Sequence, residues 1–401
     1  MTTTREDISF GFTRAGLDGI DRMMRDYVDA GKSAGMLTLV SRNGRISHLS
    51  CYGQADIESQ QPIREDTIFR IYSMTKPITS VALMTLMEQG HFELDDAAKR
   101  WIPALAELEV YQQGRIESDI TIRQLLTHTA GFSYGFEPDK YPVDQLYARI
   151  WRERIHDQSM EQLLRTLLEF PLVAQPGTLW HYSIATDICG YLVELISGMP
   201  FADYLQQVIF DPLGMVDTAF EVSADRIDRF ATLYGYREDN PLAQLERNDS
   251  SPFISAISGI PVRLHSGGGG LTSTAVDYWR FAQMMLNRGE LDGRRIVKAK
   301  TVALMTRNHL PAKLLPLEFN GVASGDFRGY GFGLGYCINL DPANTAAAGS
   351  RGDFGWGGMA DTYCWVDPAR QLVAILMQQY LPSLHHPGRR DFRNAVYQAL
   401  G

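Results

Sequence analysis

The sequence predicts an α+β fold: a five-stranded antiparallel sheet built from both termini and flanked by helices, with a mostly helical region inserted. Three observations carry this reading. Asn43-Gly44 separates two strand-like runs, 36–42 and 45–52, and Asn-Gly in that setting is the strongest short hairpin signal. Three more strand patterns, 330–338, 360–366 and 371–378, gather near the other end, the last two joined by the turn Asp367-Pro-Ala-Arg. Between these groups, apolar residues recur mainly at helical spacing.

In chain order, Ala15, Leu17, Ile20, Met23, Met24, Tyr27 and Val28 mark an amphipathic helix over 14–30. Further helices are expected near 73–90, 121–128, 159–169, 185–197, 201–209 and 274–288, with a closing helix over 391–400. The organisation follows as a sheet region (1–72 and 320–401) and a helical region (73–319), with a cleft between them. No internal repeat or low-complexity segment is present.

Composition bounds the function. An apolar fraction of 45% and a charged fraction of 21% fit a globular protein. A net charge of -9 argues against a nucleic-acid partner. The opening Met-Thr-Thr-Thr-Arg-Glu-Asp lacks the apolar core of a signal peptide. No apolar run approaches the roughly 20 residues of a membrane span. A cytoplasmic location without a membrane partner is therefore expected. Cys51, Cys189, Cys337 and Cys364 are scattered without CxxC spacing, which reads as buried free thiols in a reducing compartment.

The stretch Phe69–Gly90 organises the rest. Ser73 and Lys76 stand three apart at the head of a helix that is apolar nearly all round. Residues so spaced share a face, with Cβ atoms roughly 5–6 Å apart. An ammonium then lies beside a hydroxyl at the positive end of the helix dipole. Pro77 is tolerated only if the helix has barely begun, and Gly90 suits its C-terminal stop. The pattern alone also fits an N-cap serine with a surface lysine.

Other motifs carry weight together. Pro176-Gly-Thr-Leu-Trp-His-Tyr-Ser-Ile-Ala-Thr-Asp187 places Tyr182 just before a helix. There it is either packed in the loop or a proton acceptor whose phenolate a nearby Lys76 would stabilise. Gly355-Trp-Gly-Gly-Met359 leads toward a strand near Ala360 and is either a strand-entry bulge or a backbone N–H donor to an oxyanion. Leu125-Leu-Thr-His-Thr-Ala-Gly-Phe132 and Gly267-Gly-Gly-Gly-Leu-Thr-Ser-Thr274 read as frames of the same cleft. No Gly-Lys-Ser/Thr follows the four glycines, which argues against a nucleotide cradle. The histidines show no metal-ligand spacing; His128 and His181 read as loop or supporting residues. Gly31-Lys-Ser-Ala-Gly35 matches a nucleophile elbow in letters only, since a helix precedes Ser33 and a strand follows it.

In this order, Ser73-x-x-Lys76, Tyr182-Ser-Ile and Trp356-Gly-Gly resemble the serine β-lactamase and penicillin-binding-protein superfamily. More narrowly they resemble class C β-lactamases and the family VIII carboxylesterases, over residues from about 15 to 400. The resemblance implies a β-lactamase/transpeptidase-like fold and a serine carboxylesterase acting on small-molecule esters of short chain through an acyl-enzyme. It implies Ser73 as nucleophile, Lys76 and Tyr182 sharing the base role with Lys76, cationic or sharing a proton, lowering the Tyr182 pKa, and the N–H groups of Ser73 and Met359 as the oxyanion hole. Tyr134 would overhang a cleft lined by Trp356, Gly357, Gly358 and Ile184. Neither a metal nor an organic cofactor is called for. Two departures stand out: Ile184 where class C enzymes carry asparagine, and Trp356-Gly-Gly where they carry Lys-Thr-Gly. Both make the cleft more apolar and disfavour β-lactamase or D-alanyl peptidase activity. An acyltransferase on the same fold stays open. A non-catalytic scaffold would be expected to have lost one of Ser73, Lys76 and Tyr182.

Overall fold

A central strand ties the two ends of the chain together. The computed structural model describes residues 10–152, 158–235, 245–248, 262–318 and 327–401. The strands of its main sheet are β1 (Gly35–Arg42), β2 (Arg45–Asp56), β3 (Gln61–Pro62), β4 (Tyr330–Phe332), β5 (Cys337–Asn339), β6 (Phe354–Gly357), β7 (Tyr363–Asp367) and β8 (Leu372–Met377). They lie in the order β4-β5-β6-β7-β8-β1-β2-β3, all antiparallel. Pairing of Leu39 with Ile375 across β1 and β8 is the seam between the N-terminal and C-terminal strands. The β1–β2 hairpin turns at Asn43 (φ 53°) and Gly44 (φ 75°), the two positive φ values a type I′ turn requires.

Among the described residues the sheet has eight strands rather than five. The run expected as one strand over 330–338 folds back on itself as β4 and β5, turning at 333–336 with the Gly333 N–H bonded to the Tyr336 carbonyl. Residues 354–357 form a strand of their own rather than a lead-in. Gly355 permits this, because a Cβ there would lie 2.2 Å from the Cys364 carbonyl oxygen. β7 consequently starts at Tyr363, not Ala360. The region boundary expected near 320 lies outside the described residues.

Both faces of the sheet are covered, as the alternation of its side chains demands. Leu37, Leu39, Val373, Ile375 and Met377 point to one core, and Met36, Val40, Leu372, Ala374 and Leu376 to the other. The second core is closed by α1 (Arg14–Asp29) and a C-terminal helix (Gly388–Ala399), packed so closely that a Cβ on Gly16 would meet Ala399 Cα at 2.4 Å. The first core holds α2 (Thr75–Glu88), whose residues from Thr75 to Leu86 are all buried. α3 (Ile122–Leu126) starts with a Thr121–Gln124 capping box. α4 (Ala185–Ser197) ends on left-handed Gly198, and α5 (Ala275–Leu286) is capped by Thr274. Helices Asp144–Arg152 and Ala299–Met305 were not foreseen.

A buried ion pair fastens the C-terminal helix to the sheet. The Arg393 guanidinium donates to Asp353, at the head of β6, and to the Tyr363 hydroxyl at 3.0 Å. Removing one partner of such a pair strands the other, which costs about 3–5 kcal/mol. Arg393→Leu should lower stability to urea by that order, and adding Asp353→Asn should recover much of it. An unchanged midpoint in Arg393→Leu would show that the pair is dispensable.

Candidate active site

Ser73 stands at a strand-to-helix junction. The short strand Phe69–Arg70 pairs with Thr272–Ser273, a 3₁₀ turn covers Tyr72–Met74, and α2 follows at once. The strand–serine–helix order missing at Ser33 is therefore met here. Ser33 is instead a buried turn residue whose hydroxyl donates to the Gly35 carbonyl at 3.1 Å. Tyr72 adopts φ 43°, a left-handed conformation costing a bulky residue about 1–3 kcal/mol. Burial beside Leu233, Ala360 and Leu381 holds it there. Lys76 and Pro77 occupy the first turn of α2, and Gly90 (φ 85°) lies just past its end, both as the sequence requires.

Lys76 is almost wholly buried. Its Nζ donates to Ser73 Oγ at 3.2 Å, to the Tyr134 hydroxyl at 3.0 Å and to the Gly268 carbonyl at 2.7 Å. All three protons of an ammonium are thereby satisfied. Burial pulls the Lys76 pKa down to about 7, against the pull of the Asp187 carboxylate, which raises it.

Asp187, named in a sequence motif but assigned no role, is the anion of the site. It accepts from the Tyr134 hydroxyl at 2.9 Å, the Gly268 N–H at 3.0 Å and Ser266 Oγ. Its position on the first turn of α4, shortly after Tyr182, was the available signal. Tyr134 does not overhang the cleft. It is buried between Lys76 and Asp187, and burial raises its pKa well above the ordinary value.

Tyr182 lies beside Ser73, and its hydroxyl accepts from Trp356 Nε1 at 3.2 Å. Lys76 Nζ is 4.5 Å from the centre of the Tyr182 ring. Rings of His128, Tyr134 and Trp356 pack at 4.8, 5.3 and 5.4 Å. Burial in this aromatic cage raises the Tyr182 pKa, and hydrogen bonding with Ser73 and Trp356 only partly offsets it. The expectation that Lys76 lowers the Tyr182 pKa is thus reversed. Burial shifts each of the two groups toward its neutral form.

Ile184 is fully buried at the start of α4 and presents no surface to a cleft. His128 and His181 are buried supports: His128 Nδ1 accepts from the Ser183 N–H at 3.3 Å, and His181 Nε2 lies 3.0 Å from Ser133 Oγ. The glycine stretch offers carbonyls rather than N–H groups to α2: Gly267 accepts from Thr79 and Gly268 from Lys76. That is the opposite polarity from a phosphate cradle.

The end of β6 closes the other side. A Cβ on Gly358 would meet the Ile71 carbonyl oxygen at 2.3 Å, so the strand end lies against the segment leading to Ser73. The Gly358 N–H is taken by the Thr362 carbonyl at 2.8 Å. Among the described residues, the N–H groups of Ser73 and Met359 have no intramolecular acceptor. No group of three or more metal-ligating side chains, and no helix long and apolar enough to cross a membrane, occurs among those residues. All four cysteines are free thiols.

Residues 20–398 match the family model described as Beta-lactamase. The chain belongs to the beta-lactamase family. This member is similar to the esterase EstB of Burkholderia gladioli, 31% identical over 96% of this chain and 95% of that one. It is 27% identical to the monacolin J acid methylbutanoyltransferase of Aspergillus terreus, covering 88% and 89% of the two chains. The solved structure of "EstCE1, a hydrolase with promiscuous acyltransferase activity" superposes with a TM-score of 0.80 at 25% identity, over 96% of this chain and 99% of that one. The resemblance to family VIII esterases holds, and the beta-lactamase-family chain is a serine hydrolase.

Asp187 supports the protonated form of Lys76, so Asp187→Asn should lower further the pH at which Lys76 loses its proton. Followed as the pH dependence of serine labelling by a fluorophosphonate, the acid limb should move to lower pH. A limb that stays or rises would contradict this electrostatic assignment.

Proposed function

We propose that this enzyme is a serine carboxylesterase that hydrolyses short-chain esters through an acyl-enzyme on Ser73. The observation that carries the reading is the buried Lys76 amine, 3.2 Å from Ser73 Oγ, whose pKa burial pulls down to about 7. A base near the working pH combines a large neutral fraction with useful proton affinity. In this reading the cleft lies between the sheet and the helical region, with β6 facing the head of α2.

In acylation, neutral Lys76 takes the Ser73 proton as Oγ attacks the ester carbonyl carbon. The carbonyl oxygen becomes an oxyanion held by the Ser73 and Met359 N–H groups. As the intermediate collapses, Tyr182 gives its phenolic proton to the departing alkoxide, and the Lys76 ammonium restores it. In deacylation a water loses its proton to Lys76 and attacks the acyl carbon. Ser73 leaves with a proton supplied through Tyr182, returning the site to its starting state. The high Tyr182 pKa suits a group that enters the cycle protonated.

Substrate class follows from what faces Ser73. Trp356 stands where a cation would otherwise hold a carboxylate, and its indole N–H is committed to Tyr182. Short nitrophenyl esters should be hydrolysed and nitrocefin left nearly untouched. Ser73→Ala should abolish ester hydrolysis while Ser33→Ala leaves it intact. A dead Ser33→Ala, or a cephalosporin turned over as fast as nitrophenyl butyrate, would overturn the assignment.

Transfer of the acyl group to an alcohol is a second reading, favoured by the similarity to a methylbutanoyltransferase and to EstCE1. The product ratio of alcoholysis to hydrolysis in added alcohol separates the two.

The acid–base roles have their own signature. kcat/KM should rise with pH through about 7, because protonated Lys76 cannot accept the Ser73 proton. Tyr182→Phe should lower kcat by about 10²–10⁴-fold with little change in KM. Activity that falls as Lys76 deprotonates would move the base role to a Tyr182 phenolate.

A further inference from the structure

Arg389 sits where helix electrostatics disfavour it. It is the second residue of the C-terminal helix Gly388–Ala399, next to Arg390 and at the positive end of the helix dipole. Its side chain is nevertheless only 17% exposed. A cation held against its local preference, near a reactive site, calls for a reason outside the helix.

Its contacts point back to β6. Nη2 donates to the Gly358 carbonyl, and Nε lies 3.1 Å from the buried Asp361 carboxylate in an ion pair rather than an aligned hydrogen bond. A Cβ on Gly357 would stand 2.4 Å from Nη1, so only glycine at 357 lets the guanidinium reach across the strand end. The gripped carbonyl opens a turn. It also accepts from the Asp361 N–H at 3.1 Å, and Asp361 itself is left-handed at φ 64°.

The carbonyl of Gly358 and the N–H of Met359 belong to one planar peptide unit and, being trans, point in opposite directions. A cation on the oxygen therefore fixes the direction of the N–H. It also polarises the amide and makes that N–H a stronger donor. We infer that Arg389 is the positioning residue of the oxyanion hole, its guanidinium, braced by Asp361, holding and polarising the Gly358–Met359 peptide so that the Met359 N–H meets the developing oxyanion. This rests on the reading in which Met359 is an oxyanion donor to an acyl-enzyme on Ser73.

The test uses the full chain. Arg389→Met combined with Asp361→Asn removes the cation without stranding a buried carboxylate, and Arg389→Lys keeps charge without the fork. The charge on the carbonyl oxygen exists only in the transition state, so the loss belongs in kcat. Outright loss of an oxyanion donor costs about 10²–10³-fold, and the Arg389 variant, which keeps the N–H but loosens it, should lose roughly 10–10²-fold in kcat with KM nearly unchanged. Affinity for an alkylboronic acid, which forms a tetrahedral adduct on Ser73, should fall by the same factor. Arg389→Lys should fall in between, and added guanidinium should restore part of the rate to Arg389→Ala. Unchanged kcat in the folded double variant would overturn the inference. So would a kcat loss with boronate affinity intact and no rescue by guanidinium. Failure of wild-type Ser73 to take a fluorophosphonate would instead sink the acyl-enzyme reading, and this inference with it.

Discussion

Burying a lysine amine at the head of a core helix is the constraint around which the site is arranged. Lys76 could not sit there as an isolated ammonium, because desolvation of a charge costs more than folding can spare. One of its three acceptors is local, Ser73 three residues away, and the other two come from distant parts of the chain, 58 and 192 residues away. The loop at 131–136, the glycine stretch at 267–270 and the start of α2 are therefore stapled at one atom. Asp187 completes the arrangement by holding Tyr134 and the Gly268 backbone from the far side. The same burial that makes the network necessary brings the amine close to neutrality. Folding constraint and chemical competence share one cause.

The two backbone donors proposed for the oxyanion stand on separate elements that meet in one small apolar cluster. Tyr72, Leu233, Ala360 and Leu381 form it, with Met359 packed against it. Each donor segment contains a non-glycine residue in the left-handed region, Tyr72 beside Ser73 and Asp361 shortly after Met359. Such conformations persist only where surrounding structure over-determines them. Here the Ile71 carbonyl against Gly358, and Arg389 against the next turn, supply that determination. The sheet and the head of α2 are in this way fixed relative to each other at the proposed oxyanion site.

Aromatic side chains give the cleft its chemical character. Tyr182 is enclosed by His128, Tyr134 and Trp356, with Phe136 stacked at 6.5 Å. A polar site walled by rings has low local dielectric, which strengthens each hydrogen bond inside it and penalises any unpaired charge. In the proposed esterase reading, that setting suits an uncharged ester better than a substrate needing a cation to hold its carboxylate.

Much of this was legible in the sequence, because it depends on local rules. The β1–β2 hairpin follows from Asn43-Gly44, the limits of α2 from Pro77 and Gly90, and the start of α5 from Thr274. The order of Ser73, Lys76, Tyr182 and Trp356-Gly-Gly was enough to indicate the family. Contacts between distant segments were decided only by the tertiary structure. Asp187 and Tyr134 acquire their roles because α4 and the 131–136 loop converge on Lys76. Ile184 is removed from the cleft by the way α4 begins, and β6 becomes a strand because Gly355 can lie against the Cys364 carbonyl. The protonation of the Lys76–Tyr182 pair is of the same kind. Adjacent residue types suggest attraction between an ammonium and a phenolate, whereas burial, a property of the folded whole, shifts both toward their neutral forms.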